Sequence, residues 1–224
     1  MLEEGLHRLN LFDKAAVQNS KGAALALLKK YIEEIELFNE AYGLVKVKDR
    51  NELIVKHILD SLAPLGIIIR LLEDRTGTWQ IADVGSGGGF PGIPLAIFLP
   101  DIEFTLIERM GRRAGFLQNC IAVLGLKNVR VEEIEMEKAA AGFFDVAVFR
   151  AFRPLEPAIL KGLLRLLKPN GFLAAWKGRL ENSREEMTVA EKFSSTLHWE
   201  IHPLNIPFLE DERHLTVIRI KPHP

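Results

Sequence analysis

Asp83-Val84-Gly85-Ser86-Gly87-Gly88-Gly89-Phe90 decides how this chain of 224 residues folds. The apolar run Ile81-Ala82-Asp83-Val84 leading into it reads as a buried strand, and Ile93 to Phe98 after it as a helix. Gly85, Gly87, Gly88 and Gly89 crowd the turn between them. Backbone without side chains turns tightly and lies close against a ligand. The carboxyl end of a strand in an open α/β sheet is where ligands bind. A dinucleotide fingerprint, Gly-x-Gly-x-x-Gly, fits this turn poorly. Counted from Gly85 its third position is the bulky Phe90; counted from Gly87 it reaches Gly92 only with Pro91 inside.

Outward from the turn, short apolar runs alternate with helices. Strands are expected at Glu103 to Ile107, from Val129, at Asp145 to Phe149 and at Phe172 to Trp176, then near Trp199 to His202 and at Leu215 to Ile220. Helices are expected at Arg112 to Leu124, Pro157 to Leu167 and Ser183 to Thr196, with Lys168-Pro169-Asn170-Gly171 as a turn. Such alternation implies an α/β fold whose mainly parallel sheet is covered on both faces. The last two strands lie close together, which suggests an antiparallel finish. Upstream, Leu25, Leu28, Ile32, Ile35, Phe38 and Tyr42 share one helical face, and Gly43 stops that helix. Further helices fit Asn51 to Leu62 and Ile67 to Leu72. The expected organisation is a helical extension over 1–76 and a Rossmann-like domain over 77–224.

The sequence holds 29 basic and 30 acidic side chains for a net charge of −1, and each segment is balanced, with 11 basic and 12 acidic over 1–76 and 18 of each over 77–224. That is a poor footprint for general nucleic-acid affinity and on its own favours a small-molecule enzyme. Any RNA contact must come from local basic clusters. A single cysteine, Cys120, offers neither a disulfide framework nor metal-ligand spacing. No apolar run is long enough to span a bilayer, and the start MLEEGLHRLNLF is unlike a signal peptide. A cytoplasmic protein, bound to no membrane or metal, is expected.

The pattern Asp-x-Gly-x-Gly-x-Gly fits at Asp83, Gly85, Gly87 and Gly89 without adjustment. It resembles the first motif of S-adenosylmethionine methyltransferases, whose cofactor has no phosphate, so the loop need only pass closely beneath an amino acid and a ribose. Glu108 ends the second strand, where a carboxylate can accept hydrogen bonds from both ribose hydroxyls. Nicotinamide enzymes use the same device, so an oxidoreductase stays open on these residues alone. Arg109 and Met110 follow and are placed to line an adenosine pocket.

Several segments together look like one family. They are Val55-Lys56-His57-Ile58-Leu59-Asp60-Ser61-Leu62, Val84 to Ala96 (VGSGGGFPGIPLA), Glu108 to Leu117 (ERMGRRAGFL), Arg150-Ala151-Phe152, Lys177-Gly178 and Glu212-Arg213-His214-Leu215. In order and spacing, over roughly residues 35 to 220, the chain resembles the bacterial small-subunit rRNA guanine-N7 methyltransferases, also called glucose-inhibited division protein B. It departs from their pattern at Phe38-Asn39, at Gly43-Leu44-Val45, and at Phe149, where a small residue is usual.

The resemblance implies S-adenosyl-L-methionine as cofactor and 16S rRNA of the small ribosomal subunit as partner; a monomer is expected. Cofactor contacts carried over fall on Gly85, Phe90, Glu108, Met136, Glu137 and Arg150. Arg150 also stands out directly, as a charge ending the apolar run Val146 to Phe149. Guanine N7 has a lone pair and no proton, so no general base is required, and catalysis reduces to alignment and tolerance of a cationic base. Catalytic residues are thus unknown, with Arg150 and Lys177 as candidates. RNA-phosphate candidates are Arg109, Arg112, Arg113, Arg150, Arg153, Lys177, Arg179, Arg213 and His214. His57 and Asp60 share a helical face and read equally well as a structural pair. The competing readings are a small-molecule methyltransferase, the nicotinamide oxidoreductase and a non-catalytic RNA or ribosome-assembly factor.

Overall fold

The computed structural model describes residues 1–11, 21–72, 77–152, 154–193 and 196–220. Seven strands, β1 (Gln80–Val84), β2 (Glu103–Ile107), β3 (Val129–Glu132), β4 (Phe144–Arg150), β5 (Leu167–Lys177), β6 (Leu197–Leu204) and β7 (Arg213–Ile220), form one sheet in the order β3-β2-β1-β4-β5-β7-β6. The first five are mutually parallel, and β7 is inserted antiparallel between β5 and β6. This is the Rossmann-like arrangement that the alternating pattern implies. Strand order reverses between β1 and β4, which leaves a crevice at their carboxyl ends.

Burial on both faces explains why the central strands read as unbroken apolar runs. Along β4, Val146 and Val148 face one core and Ala147 and Phe149 the other, the alternation that a pleated strand enforces. The second core is closed by α8 (Pro157–Arg165) and α9 (Leu180–Phe193). The first is closed by α6 (Gly92–Phe98) and α7 (Gly111–Leu124), and also by helices from before β1. Those are α1 (Leu2–Arg8), α2 (Lys21–Tyr42), α3 (Arg50–Leu53), α4 (Asp60–Leu62) and α5 (Leu65–Leu72). Between α3 and α4 the helix continues through a π-helical stretch, Ile54–Leu59. Helix α2 packs on α6 and α7, and α4 on α6, so one face of the sheet carries two layers of helix.

Two local outcomes differ from expectation. Lys168-Pro169-Asn170-Gly171 lies inside β5 rather than in a turn before it. There the register with β4 jumps from Phe144–Leu167 to Val146–Phe172, and Asn170 takes φ +65°. The turn chemistry is present but is spent on a bulge. Helix α8 correspondingly ends at Arg165.

Asn128 secures the far edge of the sheet. Its side-chain amide donates to the carbonyls of Ala96, Leu99 and Ile102 at 3.2, 3.1 and 3.0 Å, joining the start of β3 to the α6–β2 connection. These carbonyls have little access to water once Asn128 is buried over them. Asn128→Ala should lower the unfolding free energy by about 2–3 kcal/mol, the cost of stranding buried acceptors. Urea denaturation followed by circular dichroism measures it, and a change below roughly 0.5 kcal/mol contradicts the assignment.

Candidate functional site

Gly85, Gly87 and Gly89 take φ of +71°, +58° and +93°, a region that side chains resist. A Cβ on Gly85 would meet the Phe152 ring at 2.5 Å, and one on Gly89 would meet Tyr31 and Ile93 at under 2.8 Å. Sterics thus demand glycine twice over at those two positions. Asp83, at the end of β1, is fully buried and accepts the Gly92 amide at 3.0 Å, tying the strand to the first turn of α6. Burial raises its carboxyl to about 7, and its Oδ1 has no hydrogen-bond partner among the described residues.

Glu108 faces the loop from the end of β2. Its two carboxylate oxygens accept the amides of Gly87 and Met110, each at 2.9 Å. A carboxylate has about four acceptor sites, so one remains on each oxygen for a pair of neighbouring hydroxyls. Beside it opens a cavity of about 290 Å³ bordered by Gly85, Ile107, Glu108, Arg109, Met110, Arg113, Ile134, Glu135, Met136 and Phe152. Apolar side chains (Ile107, Met110, Ile134 and Met136) among polar ones, a carboxylate with spare lone pairs and a side-chain-free backbone suit an adenosine bearing a ribose diol. The residues present therefore fit S-adenosylmethionine.

A second cavity, of about 620 Å³, adjoins the first and shares Ala151 and Phe152 with it. It lies over the carboxyl ends of β4 and β5 and is lined by His57, Asp60, Phe149, Arg150, Trp176, Lys177 and Arg213 among others. Ala151 takes φ +47°, rare for a residue with a side chain, and turns the chain out of β4 between the two cavities.

Arg150 organises this second space. Its Nη1 donates to the Lys56 carbonyl at 2.8 Å and to Asp60 Oδ2 at 2.9 Å, while its Nη2 faces His57 Nδ1 at 2.5 Å. Its guanidinium carbon sits 5.1 Å from the Phe90 ring centre. The π-helical stretch makes this receptor. The Asp60 amide reaches back to the Val55 and His57 carbonyls, and the Lys56 carbonyl is turned to Arg150. His57 and Asp60 are thus joined through Arg150, a partner the sequence did not suggest for them. Trp176 Nε1 donates to the Asp60 carbonyl, and Arg213 lies 3.4 Å from Asp60 Oδ1.

The structure gathers the expected cofactor residues Asp83, Gly85, Gly87, Gly89, Phe90, Glu108, Arg109, Met110 and Met136 at one corner. Phe90 is buried between Tyr31 and His57 rather than open to the cavity. Glu135 borders the cavity, whereas Glu137 lies beyond it, its carbonyl accepting from Arg165. Of the expected RNA contacts, Arg109, Arg112 and Arg179 are exposed, and Arg113 turns back to the cavity edge and the Gly43 carbonyl. Lys177 pairs with Glu186 at 2.5 Å, and His214 Nδ1 meets the Gly178 carbonyl. Arg153 lies outside the described residues. Among the described residues no metal-binding cluster occurs, and no helix is long and apolar enough to cross a membrane. Tyr31 and Glu186 were missed, and Ala151 entered only as part of the Arg150-Ala151-Phe152 segment. Tyr31 left a trace as an aromatic on the edge of the α2 apolar stripe.

The sequence profile of the family described as rRNA small subunit methyltransferase G (GidB) matches residues 24–216. A ribosomal RNA small subunit methyltransferase G from Treponema denticola is 39% identical, over 97% of this chain and 93% of its own length. One from Xanthomonas axonopodis pv. citri is 36% identical, over 90% of each chain. In fold, the chain is similar to a SAM-dependent methyltransferase from Aquifex aeolicus, with a TM-score of 0.55 at 19% identity, over 71% of this chain and 92% of that one.

Burial first, and then the facing Arg150 charge, hold His57 down to about 3 from 6.5. The unfolded chain therefore binds a proton on this residue below about pH 6.5 that the folded chain refuses. His57 contributes stability fully above that pH, and the contribution is lost as pH falls. In His57→Asn, which keeps an acceptor for Arg150, unfolding free energy should fall less steeply between about pH 6.5 and 5 than in the parent. Parallel slopes in urea titrations across that window refute a buried neutral imidazole.

Proposed function

The chain belongs to the rRNA small subunit methyltransferase G family, and from that footing we propose that it transfers the methyl group of S-adenosylmethionine to N7 of a guanine in 16S rRNA. The observation that carries this reading is the pair of adjoining cavities. One is shaped for an adenosine beside the glycine loop, and the other is ringed by aromatic and cationic side chains over β4 and β5. The reading places the enzyme in the cytoplasm with its RNA, acting as a monomer.

When bound, S-adenosylmethionine supplies an electrophilic methyl on a sulfonium. Gly85 and the loop after it would hold its amino-acid end, Glu108 would accept from the ribose hydroxyls, and Ile107, Met110 and Met136 would hold the adenine. The target base, unstacked from its RNA, enters the larger cavity among Phe149, Phe152 and Trp176. Guanine presents N7 and O6 side by side as acceptors. A donor from Arg150 or Lys177 on O6 therefore fixes N7 without blocking its lone pair. No proton leaves N7, so these residues have only to orient the base and to tolerate the positive charge it acquires. Asp60 and Glu186, already paired with Arg150 and Lys177, keep the cavity from accumulating cations that would oppose that charge.

The test is transfer of labelled methyl to small-subunit RNA or intact subunits from cells lacking the modification, with the product nucleoside identified by mass spectrometry. 7-Methylguanosine is expected, and the signal should vanish when the RNA is digested beforehand. Methyl on another atom, or RNA-independent methylation of a small molecule, overturns the reading. Glu108→Ala should weaken S-adenosylhomocysteine binding roughly 30- to 150-fold, the loss of about 2–3 kcal/mol of charge-assisted hydrogen bonds. Calorimetry measures this, and an unchanged affinity removes Glu108 from the cofactor site.

A further inference from the structure

Tyr31 is fully buried in the middle of α2, far in sequence from the loop it touches. Its hydroxyl donates to the Gly88 carbonyl at 2.5 Å, and its ring centre lies 5.4 Å from that of Phe90. Burial pushes the phenol well above its ordinary range, so the group stays protonated and remains a donor. On the other side of the same loop, the Gly87 amide donates to Glu108. A run of glycines, here with Gly85, Gly87 and Gly89 at positive φ, has little conformational preference of its own, so its peptide orientations are set from outside. Tyr31 grips the 88 carbonyl from one side, and Glu108 grips the 87 amide from the other. If the carbonyl loses its donor in this dry setting, the adjoining peptides rotate to find another. The Gly87 amide then no longer aims Glu108.

We propose that Tyr31 is a positioning residue for the cofactor: from the helical extension it fixes the Gly87–Gly89 peptides and, through the Gly87 amide, the orientation of the Glu108 carboxylate. This rests on the S-adenosylmethionine reading above. Tyr31→Phe removes one oxygen and keeps the ring against Phe90. It should weaken S-adenosylhomocysteine binding about ten-fold by calorimetry, and raise KM for the donor similarly, with kcat at saturating donor and KM for RNA unchanged. Amide hydrogen exchange in the 85–90 loop should quicken while that of α2 does not.

If the parent protein itself fails to bind S-adenosylhomocysteine, the methyltransferase reading falls first. If the parent binds and Tyr31→Phe binds within two-fold of it, the assignment of Tyr31 is wrong. Leu28→Ala, a packing loss on the same helix, should lower Tm and leave the affinity alone; equal weakening there means general loosening and also overturns the proposal. Fluorotyrosine labelling needs no variant, because the chain has two tyrosines, Tyr31 and Tyr42. The Tyr31 fluorine resonance should shift when S-adenosylhomocysteine is added, and an unmoved resonance counts against the coupling.

Discussion

A guanidinium held at the end of an apolar strand has to be matched by acceptors, because an unpaired buried charge costs several kcal/mol. Arg150 is in that position, with its side chain 15% exposed. The sheet offers it little: its neighbour across β5 is Trp176. The acceptors come from the helices before β1, as the Asp60 carboxylate, the His57 ring and the Lys56 carbonyl. Helices before β1 are therefore joined to the carboxyl edge of the sheet by electrostatics as well as by packing. The π-helical stretch follows from the same need. A regular α-helix would engage the Lys56 carbonyl with the Asp60 amide, which here bonds elsewhere. Breaking this cluster by removing one partner strands the others, so its members stand or fall together.

The glycine loop shows the complementary rule. Asp83, Glu108 and Tyr31 each satisfy a backbone group of the turn or its following helix, from β1, β2 and α2 respectively. The loop is free of side chains where a ligand must approach, and its shape is imposed by side chains from elsewhere. Phe90 connects the two systems, with Tyr31 on one side and His57 and Arg150 on the other. The glycine loop and the Arg150 cluster are consequently joined through one packed side chain.

Much of the fold was legible because it rests on local signals. Central strands buried on both faces read as apolar runs, and Gly43 stopped α2 where its periodicity ended. The Lys168–Gly171 signal misled because the same residues that make turns also make bulges, and only pairing with β4 separates the two. In the site, Asp83, the glycines and Glu108 were readable because each sits at a fixed offset from a strand end. Arg150 was readable as a charge ending an apolar strand. Its partners were not, since they lie some ninety positions away and depend on a π-helical turn that no periodicity announces. Tyr31 was hidden for a similar reason, as an aromatic beside an apolar stripe looks like core whatever its hydroxyl does. Along Glu132 to Glu137, sequence could not tell which acidic residue would border the cavity, and the structure puts Glu135 there.

Net charge pointed to a small-molecule enzyme, and the family membership points to RNA. Charge summed over the chain is the wrong quantity. At physiological ionic strength exposed charges are screened within about 8 Å, so a distant acidic face does little to a phosphate at the cavity mouth. What matters is the local set. Arg109, Arg112 and Arg179 are exposed at the carboxyl edge, while Lys177 and Arg213 beside them are held by Glu186 and Asp60. Arg109, Arg112 and Arg179 offer few phosphate contacts. On the function proposed above, recognition then comes from shape and from an unstacked base, the mode by which proteins select single-stranded RNA.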